Sequence, residues 1–403
     1  MAVQSSRSRQ IDSLRALAAL SVLAYHAVYK AVLLTLPRSS PLSAWAAHLD
    51  VGVPIFFVLS GFLLYGPFVR ARLSGSDAPD SGAYGWRRAT RILPAYWVAL
   101  VLVGLTGATL AGYAAVFSAK GVPAYFGLLQ IYNANTAQGG INPAWTLCVE
   151  VTFYAFLPLW ALLMRRLARG GAGAELAALA ALFAGSIGWK VFALGHADPN
   201  AFGISAAPWL EPLPAYLDQF ALGMGLAVLA ARGRRLRIPV AACWAVAGLA
   251  FWALATRIGL HGTTSDHLTP ARYLARHELN AIVAAALVAP IALGALRGRA
   301  ARLFELSPVV FLGVVSYGIY LFHVGVLVFL LEHGVVPDAA ASRVALVGIA
   351  VAASILLGWA SHRFVERPCI AFGRRMADRA TAARSRSAAC AGRRGTRSAR
   401  ATS

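Results

Sequence analysis

The sequence predicts an all-α integral membrane protein, a bundle of about ten transmembrane helices with both termini cytoplasmic. Three observations carry this. Of 403 residues, 59% are hydrophobic and only 13% charged, where soluble domains carry roughly a quarter charged residues. Apolar stretches of about 20 residues, enough to span a bilayer, recur along almost the whole chain. Lysine and arginine gather in every second loop, as the cytoplasmic loops of membrane proteins require.

The first stretch, 11–36, follows Arg7 and Arg9 and so imitates a signal peptide. It is too long, contains Arg15, His26 and Lys30, and has no small-residue cleavage site, which makes it a retained helix. The second, 50–69, holds Ser60 and Gly61, small residues that permit close helix packing. A covalent role for Ser60 lacks an adjacent base in the sequence. The third, 92–110, is preceded by Arg87, Arg88 and Arg91, and the fourth, 145–164, carries Glu150 inside its apolar run. The others fall at 174–195, 212–231, 239–256, 279–296, 306–331 and 343–364.

One set of loops holds Arg70, Arg72, Arg165, Arg166, Arg169, Arg232, Arg234, Arg235 and Arg237, and then Arg297, Arg299 and Arg302. The alternate set holds only isolated basic residues such as Arg38, Lys120, Lys190, Arg257 and Arg276. The formal net charge of +21 therefore follows membrane topology. A nucleic-acid reader would spread such charge over a polar surface instead. Residues 1–370 form the membrane domain, and 371–403, rich in Arg, Ala, Ser and Gly, form a basic tail predicted to be disordered. Cys148, Cys243, Cys369 and Cys390 have no metal-ligand or redox spacing, so neither a disulfide nor a metal is expected. Gly-rich phosphate loops, zinc-protease motifs and nucleophile elbows are absent.

Several polar groups inside apolar runs need a partner or a task. Arg15 and His26 are eleven residues apart, which returns them to one helical face separated by about 16 Å. An imidazole at mid-membrane is suited to general-base work; a snorkelling arginine with a core histidine accounts equally well for the spacing. Arg88 and Arg91 share a face and suit either phosphate recognition or topology alone. Glu150 could orient an imidazole, bind an acceptor hydroxyl or pair with an arginine. In SYGIYLFH, the polar tips of Ser316, Tyr320 and His323 can share one face, although interfacial anchoring also explains tyrosines.

Taken in order, IDSLRALAAL, FFVLSGFLL, RRATRILPAYW, AWTLCVEVTFY, SYGIYLFH and FVERP resemble the membrane acyltransferase family called acyltransferase 3, over residues 9–368. The resemblance implies a multi-pass enzyme of the cell membrane, and heavy use of Ala and Arg points to a bacterial genome and so to a bacterial plasma membrane. Such an enzyme moves an acyl group, commonly acetyl, from cytoplasmic acyl-CoA to a hydroxyl of a carbohydrate or glycosylated small molecule. It implies acyl-CoA as co-substrate, no permanently bound cofactor, and membrane lipid as surroundings. By motif it makes His26, Arg15 and Glu150 catalytic candidates and Arg88 and Arg91 the donor-binding pair; Tyr320 and His323, from their shared face, are the substrate-binding candidates. Two of these blocks depart from the family pattern. Pro54 stands where an acid is common after Gly-Val, and Val151 and Thr152 stand where a second glutamate and a glutamine are common. The competing reading is an exporter or proton-coupled carrier that relays protons through His26, Glu150 and His323.

Overall fold

The computed structural model describes residues 2–31, 41–107, 115–137, 139–167, 171–196, 207–258, 269–333 and 340–379, and all regular structure among them is helical. The membrane helices are α1 (Ala2–Ala31), α2 (Gly52–Leu73), α3 (Ser81–Leu105), α4 (Trp145–Leu167), α5 (Ala172–His196) and α6 (Leu217–Ala231). They continue with α7 (Val240–Ala253), α8 (Pro270–Ala292), α9 (Ser307–Val314), α10 (Ser316–Glu332) and α11 (Ala340–Ser361). Among the described residues, nine helices are long and apolar enough to cross a membrane, and α9 with α10 makes a bent tenth. Parts of the expected first and third spans, 32–36 and 108–110, lie outside the described residues, as does Arg38.

Helix α2 is the centre of the bundle, with Ile55, Phe57, Val58 and Leu59 all buried. It crosses α6 with backbones nearly touching: a Cβ on Gly61 would lie 2.3 Å from the Phe220 carbonyl oxygen, and one on Gly223 would lie 2.0 Å from that of Val58. In a bilayer, helix association comes from packing of this kind, because lipid tails compete for apolar surface. Aromatic stacking fills the space beside the crossing, with Phe220 against Phe153 at 3.9 Å and against Phe57 at 4.8 Å between ring centroids. The outward faces expose Leu159, Leu249 and Leu356, a surface suited to lipid.

Three boundaries differ from those that hydropathy alone predicts. Helix α3 begins at Ser81, because the Asp80 side chain caps it by accepting from the Ala83 amide at 2.7 Å. Arg87, Arg88 and Arg91 therefore sit on a rigid helix and not in a loop. The ninth span breaks by 70° between Val314 and Ser316. There Gly313 lies so close to α1 that a Cβ would be 1.8 Å from the Asp12 oxygen, and Ser316 Oγ donates to the Gly313 carbonyl at 2.7 Å; Gly and Ser pairs are common causes of kinks. The last helix runs on through a π-turn at His362–Glu366 as far as Arg379, so residues 371–379 are helical where composition predicts disorder. Its extension is seated on α3: Ala377 is buried, and a Cβ on Gly373 would meet Thr90 Oγ1 at 1.9 Å. Residues 380–403 lie outside the described residues.

Candidate active site

A cavity of about 780 Å³ lies between α1, α2, α3, α4, α6 and α10, toward the arginine-rich end of the bundle. Each helix contributes in a way its sequence explains. From α1 come Asp12 and Arg15, one turn apart and 3.8 Å from each other. The capped N-terminal turns of α3 aim Arg88 and Arg91, three apart, at the same space. Helix α2 gives Phe56 and Ser60, α4 gives Thr146, Glu150 and Tyr154, and α10 gives Ser316, Tyr317 and Tyr320. Four arginines, Arg15, Arg70, Arg88 and Arg91, face two carboxylates, Asp12 and Glu150, so the chamber favours an anionic guest.

The polar groups inside are held in place. Ser60 Oγ donates to Glu150 Oε1 at 2.7 Å, which ties α2 to α4 across the cavity. The Tyr320 hydroxyl donates to the Pro143 carbonyl at 3.0 Å and lies 2.8 Å from Thr146 Oγ1. The Tyr317 hydroxyl donates to the Ile92 carbonyl at 2.9 Å. Phe56 meets the Tyr320 ring edge-on at 5.9 Å.

His26 and His323 form a pair next to this cavity, and neither lines it. His323 is fully buried, and its Nε2 lies 3.1 Å from His26 Nδ1. Its Nδ1 lies 2.7 Å from the Tyr320 carbonyl oxygen and 3.2 Å from that of Ile319. His26 Nδ1 is also 2.9 Å from the Val22 carbonyl oxygen. The rings of Tyr25 and His323 each stand 4.9 Å from that of His26. Of the residues singled out by sequence, Arg15, Arg88, Arg91, Glu150 and Tyr320 thus share one chamber, while His26 and His323 lie behind Tyr320.

Comparison with known sequences decides what kind of protein the chain is. The profile of an acyltransferase domain, that of acyltransferase 3, matches residues 8–363. The chain belongs to the acyltransferase 3 family. Among similar proteins, one named as a membrane-bound transacylase, BcsY, from Komagataeibacter xylinus is 28% identical over 340 residues, covering 79% of this chain and 72% of the relative. Nodulation protein 10 from Rhizobium leguminosarum bv. viciae is 32% identical over 147 residues, covering 32% of this chain and only 38% of that relative. No solved structure matches the chain significantly. The protein is therefore a multi-pass membrane acyltransferase.

For this acyltransferase, sequence reasoning missed Asp12 and Arg70 in the chamber. Asp12 sits in the same IDSLR block as Arg15, and its spacing of three was the available signal. Among the described residues that line the chamber, Asp12 and Glu150 are the carboxylates, and Pro54 is not part of the lining.

A second polar cluster, in α5, α6 and α8, was also missed. Lys190 Nζ bridges Asp218 Oδ2 at 2.7 Å and Glu278 Oε1 at 2.6 Å, and His277 Nε2 lies 3.1 Å from Asp218 Oδ2. Asp218, His277 and Glu278 have their ligand atoms within 4.8 Å of one another. The Lys190 ammonium nevertheless takes the place between the carboxylates that a cation would fill, so the group suits an ion pair better than a metal. Near its end of the bundle, outside the spans, burial pushes the Glu211 carboxyl up to about 8.

Proposed function

We propose that this acyltransferase uses acyl-CoA, with acetyl the expected acyl group, and transfers it to a hydroxyl of a carbohydrate or glycosylated small molecule at the bacterial plasma membrane. The observation that carries the reading is the chamber in which four arginines outnumber two carboxylates and whose inner wall, Tyr320, backs onto a histidine pair. In this reading the arginine-rich end and both termini face the cytoplasm, where acyl-CoA is found.

Arg88 and Arg91 bind the phosphates, for which guanidinium groups offer paired donors. The pantetheine arm then lies along the chamber past Arg15, and the thioester reaches the Tyr320 wall. Phe56 and Tyr320 part so that the carbonyl meets an acceptor hydroxyl held by His26. The acceptor oxygen attacks the carbonyl carbon while its proton passes to His26. The carbon–sulfur bond then breaks, and the CoA thiolate leaves and takes up a proton. Glu150, fixed by Ser60, balances the arginine charge and orders the polar lining near the thioester.

The test is transfer of label from radiolabelled acetyl-CoA by purified protein supplied with host glycans and small metabolites. Labelled acceptor together with free CoA is the expected result. No transfer from acetyl-CoA or longer acyl-CoAs by folded protein would overturn acyl-CoA dependence, and solute accumulation in vesicles lacking acyl-CoA would favour the carrier. Replacing Arg88 and Arg91 together with alanine should raise the acyl-CoA KM by about tenfold or more, equivalent to about 1.4 kcal/mol, with a smaller change in kcat. A collapse of kcat at unchanged KM would remove the phosphate-binding role.

A further inference from the structure

We infer that His323 is a positioning residue that fixes the tautomer of His26, an inference that rests on His26 being the base proposed above. The hydrogen positions follow from atoms that can only accept. His323 Nδ1 lies 2.7 Å from the Tyr320 carbonyl oxygen. A carbonyl has no hydrogen to give, so Nδ1 carries the proton and donates it. In a neutral imidazole the lone pair is then on Nε2.

That Nε2 faces His26 Nδ1 at 3.1 Å. A bond between them needs the hydrogen on His26 Nδ1, and the Val22 carbonyl 2.9 Å from the same nitrogen demands it too. Two independent acceptors therefore agree. The remaining lone pair of His26 is on Nε2, the nitrogen a base must use. A continuous chain runs from His26 Nδ1–H to His323 Nε2, and from His323 Nδ1–H to the backbone of Tyr320, the residue whose side chain walls the acyl-donor chamber.

The choice of partner follows from the surroundings. Catalytic histidines are commonly oriented by a carboxylate or a carbonyl. A carboxylate here would add a charge to the membrane interior, at a cost of a few kcal/mol. A neutral imidazole orients the first ring without that charge, and its complete burial keeps out water, which could donate as readily as accept. When His26 takes the acceptor's proton, its Nδ1–H becomes the donor of a charge-assisted bond to His323. Both nitrogens of His323 are engaged within the protein, which leaves none to hold a substrate. The motif SYGIYLFH thereby acts through His26 and not on the acceptor itself.

The experiment uses the full-length protein in lipid nanodiscs with nitrogen-15-labelled histidine, and assigns resonances by difference against His26→Ala and His323→Ala. His26 is expected to show a protonated Nδ1 and an unprotonated Nε2; the opposite tautomer or an even mixture overturns the inference, whatever the activity. A kinetic arm compares His323→Gln, which keeps an acceptor toward His26, with His323→Phe, which removes it. His323→Phe should lower kcat about 100-fold with both KM values unchanged, while His323→Gln should recover kcat to within about tenfold of the intact enzyme. A raised acceptor KM at normal kcat would make His323 a substrate contact and end the proposal. Should the intact protein transfer no acyl group, the functional reading fails, and the nitrogen spectrum alone then decides the tautomer.

Discussion

Replacing His26 with alanine should lower kcat by about 10²- to 10⁴-fold, the usual contribution of a positioned general base, while leaving the acyl-CoA KM close to its normal value. The separation follows from geometry. His26 does not line the arginine-rich chamber, so its removal leaves Arg15, Arg88 and Arg91 in place for the donor. It does remove the group to which an acceptor hydroxyl must give its proton. The variant also deprives His323 Nε2 of its donor, which costs about 1–3 kcal/mol for a buried group. Thermal unfolding in detergent should therefore be followed alongside CoA release. Turnover within a few-fold of normal in folded protein would show that the base lies elsewhere, and the spacing from Arg15 would then be a packing feature.

That spacing shows how much was legible in the sequence. A spacing of eleven positions places Arg15 and His26 on one stripe of α1, and the structure uses the stripe for two compartments, Arg15 in the chamber and His26 beside His323. The pattern within one helix was readable; the wall between the compartments was not, because Tyr320 and Phe56 come from other helices. For the same reason SYGIYLFH disclosed a shared face on α10 but not that the face packs on α1. The start of α3 illustrates a different limit. Hydropathy marks where a chain becomes apolar, whereas a helix begins where its first amides find acceptors, and Asp80 supplies one well before the apolar run. The break between α9 and α10 falls where Gly313 meets the α1 backbone at Asp12; Gly313 and Ser316 are visible within 306–331, but the helix they pack against is not. Lys190 was misplaced because a lone lysine near the end of an apolar run resembles a loop charge, and its partners lie 28 and 88 residues away.

Those partners make Lys190→Met the substitution with the largest expected effect on stability, a loss of about 3–5 kcal/mol. Lys190 and Asp218 are both fully buried, and Glu278 is only partly exposed. One ammonium bridges two carboxylates on α6 and α8, so its removal leaves the fully buried Asp218 facing the like charge of Glu278, with Ser186 and His277 as its remaining neighbours. The consequence reaches the chamber mechanically. Helix α6 carries Asp218 near one end, crosses α2 at Gly223, and supplies Ala227 and Ala230 to the chamber wall. Loosening its first turns thus loosens the helix on which α2 packs at Gly61, next to Ser60. Removing the opposing charges as well, in Lys190→Met with Asp218→Asn and Glu278→Gln, should recover a good part of the lost stability, because a fully neutral cluster no longer strands a buried carboxylate. The comparison is read from unfolding midpoints in one detergent, with donor KM measured on whatever fraction remains folded. If Lys190→Met unfolds at the same midpoint as the intact protein, the carboxylates are being solvated by water and the cluster is not a clamp. If the triple variant is no better than the single one, the lysine contributes through packing of its stem, and the charges on α6 and α8 are incidental to holding the bundle closed.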